Sequence, residues 1–417
     1  MTGRYWVETL GCPKNQVDSD KLVGTLTADG MVAAATPSEA DLVLVNTCAF
    51  IEAARQESVE AVLALAEARR PGARLVVTGC MAERYGAELA EALPEVDQVA
   101  GFGVPVTLGP SRGTGAAAAV PEMDLLNLPR PAVPGSWAYV KVAEGCDRTC
   151  GFCAIPSFRG RQRSRTMASV VDEAEALGVP EVVLVAQDLA SYGRDLGRKG
   201  DIIPLVEAVA ARVARVRLLY LYPSELDDGL VDTICATGVP YFDLSLQHVS
   251  KPLLRRMRRW GDGPRFLARI GSIRAREPDA AFRSSFIVGY PGETEDDHDR
   301  LLAFVDDAQL DWAGFFAFSP EDGTHAATLD GAVDPGLVRD RLAELGEAQD
   351  RVTAGRRAAL VGRTIEVLVD EPGVGRSHRE APEIDGVVAV PGDLAPRTFC
   401  KVVVTGAAGP DIEAQAA

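Results

Sequence analysis

The sequence predicts an α/β multidomain protein: a parallel α/β amino-terminal domain, a partial (β/α) barrel, and a small carboxyl-terminal antiparallel β-barrel. Three observations carry this. Short apolar runs alternate with helix-type spacing up to about residue 100 and again from Trp137 to about Leu360, which is the grammar of βαβ units. A small-residue, proline-rich stretch separates the two regions. Beyond Leu360, β-like runs follow one another between Gly, Pro and Asp turns with no helical pattern. The expected boundaries are 1–110, a linker over 111–134, then 135–356 and 357–417.

In the first segment Tyr5–Thr9, Leu42–Val45 and Leu75–Val77 are strand candidates, and Asp18–Asp29 and Ile51–Arg69 carry helical spacing. The linker opens on Ser111-Arg-Gly-Thr-Gly and a run of alanines, with prolines up to Pro134. In the barrel segment the strand candidates are Tyr139–Val142, Glu181–Val185, Val216–Leu221, Phe242–Leu246, Phe282–Val288 and Trp312–Phe318. Each is followed by a helix-like stretch, so functional loops are expected at the carboxyl ends of the strands. In the last segment Thr364–Val369, Gly386–Val390 and Cys400–Val404 read as strands, and the tail from Gly406 to Ala417 is expected to fray.

Composition narrows the function classes. The 417 residues are 47% hydrophobic and 25% charged, which is globular, and too long for one core. The net charge of −17 makes the chain a poor generic nucleic-acid binder and suits a basic protein partner or a small substrate. No stretch of about 18 apolar residues lacks a charge, and the start has no long apolar run. Neither a membrane span nor a signal peptide is therefore expected, and the expected location is cytoplasmic. The eight cysteines are not a secreted disulfide framework, and their placement suggests ligation.

Cys146, Cys150 and Cys153 follow a strand with C-x3-C-x2-C spacing. Three thiolates on one loop can occupy three corners of a 4Fe–4S cube and leave one iron open for a substrate. Gly145 and Gly151 let the backbone wrap closely. Phe152 is placed to stack on a planar base. A zinc site is the competing reading, but zinc usually wants four ligands, and no matching fourth Cys or His lies nearby. The motif resembles the signature of the radical S-adenosylmethionine superfamily. That resemblance implies an open iron chelating S-adenosylmethionine and reductive cleavage to a 5′-deoxyadenosyl radical, with the protein binding, orienting and shielding the cofactor.

Cys12, Cys48 and Cys80 form a second set. Each follows a predicted strand, at intervals of about one βα unit. Consecutive parallel strands would bring the three thiols to one sheet edge, where a second cluster can sit. A lone cysteine is most often a small buried hydrophobe, and Cys235 and Cys400 are read that way.

The two sets together with the terminal barrel resemble the methylthiotransferase family. The resemblance implies two 4Fe–4S clusters, a radical barrel, and a terminal domain of the TRAM type. One branch of that family modifies transfer-RNA adenosine; another modifies an aspartate β-carbon of small-subunit ribosomal protein S-twelve. Gly11-Cys-Pro-Lys-Asn, Ile155-Pro-Ser-Phe-Arg-Gly-Arg-Gln-Arg-Ser-Arg, Ala186-Gln-Asp-Leu-Ala-Ser-Tyr-Gly, Leu246-Gln-His and Ala381-Pro-Glu-Ile-Asp-Gly are similar to the ribosomal branch. Residues 361–405 hold five basic and seven acidic side chains, which suits a basic ribosomal protein better than RNA phosphate. The resemblance also implies an electron donor such as a flavodoxin or ferredoxin, and a sulfur source. The polar methyl transfer and radical coupling it implies on S-twelve stand against three rivals: the same chemistry on transfer RNA, a non-catalytic iron–sulfur scaffold or electron carrier, and a different radical enzyme with an auxiliary cluster. Departures from the family pattern are Gln16, Asp20, Gly151 and Ser245, none of them a cluster ligand.

Other residues are candidates for the cofactor pocket. Gln187 and Asp188 end one barrel strand, and Gln247 and His248 end another. Gly289 lies in the turn of Ser284-Ser-Phe-Ile-Val-Gly-Tyr-Pro-Gly-Glu-Thr, where Thr294 and Asp297 read as a capping box. Arg159, Arg161, Arg163 and Arg165 either meet a carboxylate or form a solvated strand. Arg255, Arg256, Arg258 and Arg259 read as a solvated helix face.

Overall fold

The computed structural model describes residues 3–106 and 123–417. The first half of the expected linker, 111–122, lies outside the described residues.

The amino-terminal region runs β1 (Arg4–Thr9), α1 (Pro13–Ala28), β2 (Val32–Ala33), β3 (Leu42–Thr47), α2 (Glu52–Ala68), β4 (Arg74–Gly79), α3 (Cys80–Ala92) and β5 (Gln98–Ala100). All strand pairs are parallel, in the order β2-β1-β3-β4-β5. β3 is buried along its whole length, which is why Leu42–Val45 reads as a continuous apolar run. α1 begins earlier than its apolar spacing indicates. Cys12 takes the extended N-cap conformation and Pro13 sits at the first helical position, where its missing N–H costs nothing.

Next come β6 (Trp137–Lys141), β7 (Ala143–Glu144), α4 (Ile155–Arg159) and β8 (Arg163–Ser164). The chain divides into two compact units, and it passes between them several times here. The first unit holds 1–132, 143–148 and 153–165, and the second holds 133–142, 149–152 and 166–417. In the first unit β7 pairs antiparallel with β8, and Ala154 and Phe158 pack into the apolar core of the five-stranded sheet. Leu125, from the second half of the expected linker, joins the core that includes Leu22 and Leu26 of α1. Lys21 donates to the Leu126 carbonyl, and Arg130 pairs with Asp20 at 2.7 Å.

The second unit continues through α5 (Met167–Ala176), β9 (Glu181–Val185), α6 (Ile202–Ala210), β10 (Arg215–Leu218), α7 (Asp228–Ala236), β11 (Tyr241–Gln247), α8 (Lys251–Arg256), α9 (Gly263–Arg276), β12 (Ala281–Val288), α10 (Glu295–Ala308), β13 (Trp312–Ala317) and α11 (Pro335–Ala358). β6, β9 and β10 form one parallel sheet and β11, β12 and β13 another. An isolated bridge between Leu221 and Leu244 joins them into the six-stranded partial barrel. β10 stops short of its expected end because Tyr220 turns into left-handed backbone, φ 65°.

The chain ends in β14 (Thr364–Glu371), β15 (Val374–Arg376), β16 (Val388–Ala389), β17 (Phe399–Ala408) and β18 (Asp411–Ala416), a closed barrel. Two points correct the sequence reading. The segment 406–417 is not frayed: β17 runs to Ala408, and β18 pairs with both β17 and β16. The β16–β18 pair is parallel within an otherwise antiparallel barrel. Closure supplies β18 with partners on two sides, which its largely polar and small-residue sequence does not advertise.

A loop of this barrel, 376–385, is pinned to side chains near the amino-terminal ends of the β6–β13 strands. Arg217 Nε and Arg376 Nη1 converge on Glu181 at 2.7 and 3.1 Å, all three buried. Tyr241 donates to Asp385 at 2.5 Å, and Trp312 Nε1 donates to the Arg379 carbonyl at 2.7 Å.

Candidate metal centre

The carboxyl ends of β1, β3 and β4, three neighbouring strands, each deliver one cysteine: Cys12, Cys48 and Cys80. Two glycines make the approach possible. Gly11 has φ 91°, and a Cβ there would stand 2.7 Å from Cys48 Cβ and 2.9 Å from its sulfur. Gly79 has φ 90°, and a Cβ there would strike the Thr47 backbone. Asn15 ties the loops together. Its Nδ2 donates to the carbonyls of Leu10 and Thr47 at 2.9 and 3.1 Å, and its Oδ1 lies 3.6 Å from Cys80 Sγ.

The chain supplies a cation to these thiols. Arg159, at the end of α4, donates from Nη2 and Nε to Cys80 Sγ at 3.1 and 3.3 Å. The same guanidinium reaches Asn15 Oδ1 at 2.6 Å, both Glu144 oxygens at 2.9 Å, and Asp18 at 3.3 Å. Its face rests on Phe102, 4.5 Å from the ring centre. Burial pushes the Cys48 thiol up to about 11, with Cys12 and Cys80 adding to the rise. Burial also raises Cys80, against the pull of Arg159. Burial would raise Cys12 too, but Lys14 and Arg159 bring it below its ordinary value. Arg159 favours the Cys80 thiolate against the rise from burial, and a bound metal would deprotonate the thiols it holds. Among the described residues no group of three or more His, Cys, Asp or Glu is arranged to hold a single metal ion. A 4Fe–4S cube binds each thiolate to a different iron and asks for sulfurs spread around it.

The C-x3-C-x2-C loop divides between the two units, Cys146 and Cys153 in the first and Cys150 in the second. In the first, Gly145 has φ 76° and faces the Gly160 and Arg161 carbonyls so closely that no side chain fits. The Arg148 N–H donates to Cys146 Sγ at 3.4 Å. In the second, Gly151 is held by hydrogen bonds with Met257 O and Ala326 N–H. A Cβ at Gly151 would meet Tyr290 Oη at 3.0 Å. Arg259 Nη1 donates to Cys150 Sγ at 3.4 Å, and its plane covers Tyr222 at 4.0 Å. The reading of the 255–259 arginines as one solvated face therefore fails for Arg259. The helix ends at Arg256, and Arg258 turns left-handed, φ 54°, which redirects the next side chain.

The pocket candidates sit at strand ends as expected. Asp188 is buried and accepts from Ser191 at 2.7 Å, beside half-buried Gln187. Gln247 is left-handed, φ 69°, and half-buried. His248 is fully buried, with its Nδ1 accepting from Ser250 N–H and burial holding it down at about 4. Gly289 donates to Glu293 at 2.6 Å, and Arg341 anchors that carboxylate at 2.9 Å. The Thr294–Asp297 capping box forms. Phe152 is half-buried. The arginines after the cluster loop do not alternate on one strand: Arg159 ends α4, while exposed Arg161 pairs with Asp147 and exposed Arg163 with Asp124.

Three family models match this chain: Uncharacterized protein family UPF0004 over residues 4–101, the Radical SAM superfamily over 140–305, and the TRAM domain over 361–417. Full-length relatives decide the matter. Ribosomal protein uS12 methylthiotransferase RimO of Moorella thermoacetica is 42% identical, covering 94% of each chain. Its namesake from Salinispora tropica is 42% identical over 97% of this chain and 94% of its own. The chain belongs to the ribosomal protein uS12 methylthiotransferase family. The Cutibacterium acnes member is 41% identical over 92% of this chain and 91% of its own. Among solved structures, the radical S-adenosylmethionine methyltransferase TsrM from Kitasatospora setae shares the fold, with a TM-score of 0.53 at 14% identity over 95% of this chain and 84% of that one. Membership in the radical superfamily brings a 4Fe–4S cluster and S-adenosylmethionine to this methylthiotransferase. Sequence reasoning nominated the six cysteines. It missed that Arg159 and Arg259 each aim at a cysteine sulfur, because neither position has a local signature.

Proposed function

We propose that this enzyme installs a methylthio group on the β-carbon of an aspartate in small-subunit ribosomal protein S-twelve, using S-adenosylmethionine and two 4Fe–4S clusters. The observation that carries this is the gathering of Cys12, Cys48 and Cys80 on three neighbouring strand ends, in a chain that also has the three-cysteine radical signature. Radical generation alone needs one set; sulfur insertion gives the other a use. Cys146, Cys150 and Cys153 would hold the cluster that binds S-adenosylmethionine, and Cys12, Cys48 and Cys80 the second. When bound, the first supplies reductive cleavage to a 5′-deoxyadenosyl radical and the second a coordination site for the sulfur to be transferred.

The chain's own part is to orient and to shield. Arg259 fixes the Cys150 side chain, and Phe152, Gln187, Asp188, Gln247 and Gly289 line the cofactor pocket. The division into 1–110, 135–356 and 357–417, with 111–134 linking the first two, follows the roles of sulfur site, radical site and substrate docking. Burial favours a protein substrate. Arg376 and Arg379 of the terminal barrel are consumed in buried ion pairs, while Glu366, Glu371, Glu383, Asp393 and Glu413 are exposed. The exposed acidic side chains outnumber the exposed Arg363, Arg397 and Lys401 of the same barrel, an excess that suits a basic ribosomal protein better than phosphate. An electron donor such as a flavodoxin or ferredoxin and a sulfur source complete the system, in the cytoplasm, where thiols stay reduced.

The test is anaerobic reconstitution with reductant, sulfide and S-adenosylmethionine, offering both protein S-twelve and transfer RNA. A methylthio mass shift on an aspartate of the protein alone supports the reading. A shift on the RNA alone overturns the substrate, and deoxyadenosine without either product overturns the transferase chemistry.

A further inference from the structure

We propose that Arg159 is a positioning residue that sets the reduction potential of the amino-terminal cysteine site, by holding a fixed positive charge and two N–H···S bonds against Cys80. The inference rests on the reading that Cys12, Cys48 and Cys80 hold a 4Fe–4S cluster.

Every edge of the Arg159 side chain is engaged. Nε and Nη2 point at Cys80 Sγ, Nη2 also at Asn15, and Nη1 at Glu144 and Asp18. Phe102 covers its face, and the side chain is 3% exposed. Such a cation cannot swing away or be replaced by water. Thiolate ligation would concentrate negative charge here, beside Glu144 and the buried Asp18. Buried anions need a partner of this kind. Hydrogen bonds to sulfur and local net charge are the protein's main levers on cluster potential. Both favour the reduced, more negative state, so Arg159 raises the potential. Glu144 opposes it, because its carboxylate neutralises part of the same guanidinium charge. Lysine is a poor substitute, since its compact ammonium lacks the planar fork that spans Cys80, Asn15 and Glu144.

These opposed signs separate an electrostatic role from a merely structural one. The parent for the test is the full chain carrying Cys146→Ala, Cys150→Ala and Cys153→Ala, reconstituted anaerobically with iron and sulfide. Iron content, thermal melting by circular dichroism, and the midpoint potential from an EPR-monitored titration are then read. Arg159→Gln is expected to shift the midpoint to more negative potential, Arg159→Lys to shift it less in the same direction, and Glu144→Gln to shift it to more positive potential. If Arg159→Gln melts early or fails to take up iron, Arg159→Lys and Glu144→Gln decide by the sign of their shifts. Unchanged midpoints in loaded variants, or a negative shift for Glu144→Gln, overturn the proposal. A parent that binds no iron overturns the cluster reading and this inference with it, whereas a loaded parent with unresponsive variants overturns the inference alone.

Discussion

Arg259 donates to the sulfur of Cys150 at 3.4 Å while its plane lies 4.0 Å above the Tyr222 ring. The same construction, a guanidinium stacked on an aromatic ring and aimed at a cysteine, recurs in the other unit with Arg159, Phe102 and Cys80. Removing a partner of a metal ligand typically costs about 10–100-fold in affinity or activity. Arg259→Ala is therefore expected to lower 5′-deoxyadenosine formation by about that factor with iron content retained. Cleavage at the parent rate would show that the contact does not matter to the site.

The two cysteine sets should be separable. Replacing Cys12, Cys48 and Cys80 together by alanine is expected to lower iron from about eight to about four per chain and to abolish methylthio transfer while cleavage persists. Replacing Cys150 with alanine should abolish cleavage. Iron analysis and product mass spectrometry read both, and full iron content in the amino-terminal triple variant would refute the second cluster.

Glu181 holds the terminal barrel's loop to the partial barrel. Burial would raise its pKa, but Arg217 and Arg376 bring it down to about 2. Removing one member of a buried ion network strands the others, at a cost of roughly 3–5 kcal/mol. Glu181→Ala should show that loss in chemical denaturation, and a change below about 1 kcal/mol would contradict it.

Asp385 predicts a pH dependence of stability. Its side chain is 1% exposed, and burial raises its pKa from an ordinary 3.8 to about 7, with Arg283 opposing the rise. Between these values the folded protein binds more protons here than the unfolded chain. This contribution to stability is full below about 4 and is lost as pH rises through 7. Asp385→Asn should flatten that part of the profile in urea titrations at pH 5 and pH 8. An unchanged slope would mean that Asp385 is not the group responsible.

The strand ends bearing Cys12, Cys48 and Cys80 were legible because an apolar run, a glycine or polar turn, and a cysteine recur once per βα unit, and that rhythm is local. The cluster loop was legible from its spacing. The roles of Arg159 and Arg259 were not, because they depend on where α4 and the turn at Arg258 direct a side chain, which is decided by packing of Phe158 and by a left-handed residue. β18 was missed for a related reason. Of its six residues only Ile412 is buried, so it has little apolar alternation, and its conformation comes from the strands on either side.

The repeated passage of the chain between the two units bears on how such a protein can be taken apart or recombined. A fragment ending at Ala132 would keep the three sheet cysteines but lose Glu144 and Arg159, which arrive only after β6 has joined the other unit. It would present buried thiols with no guanidinium beside them. Grafting the sulfur-site module onto another barrel by a single splice in the linker would therefore transplant an incomplete site, and a working chimaera would have to carry the segment through Arg165 along with it.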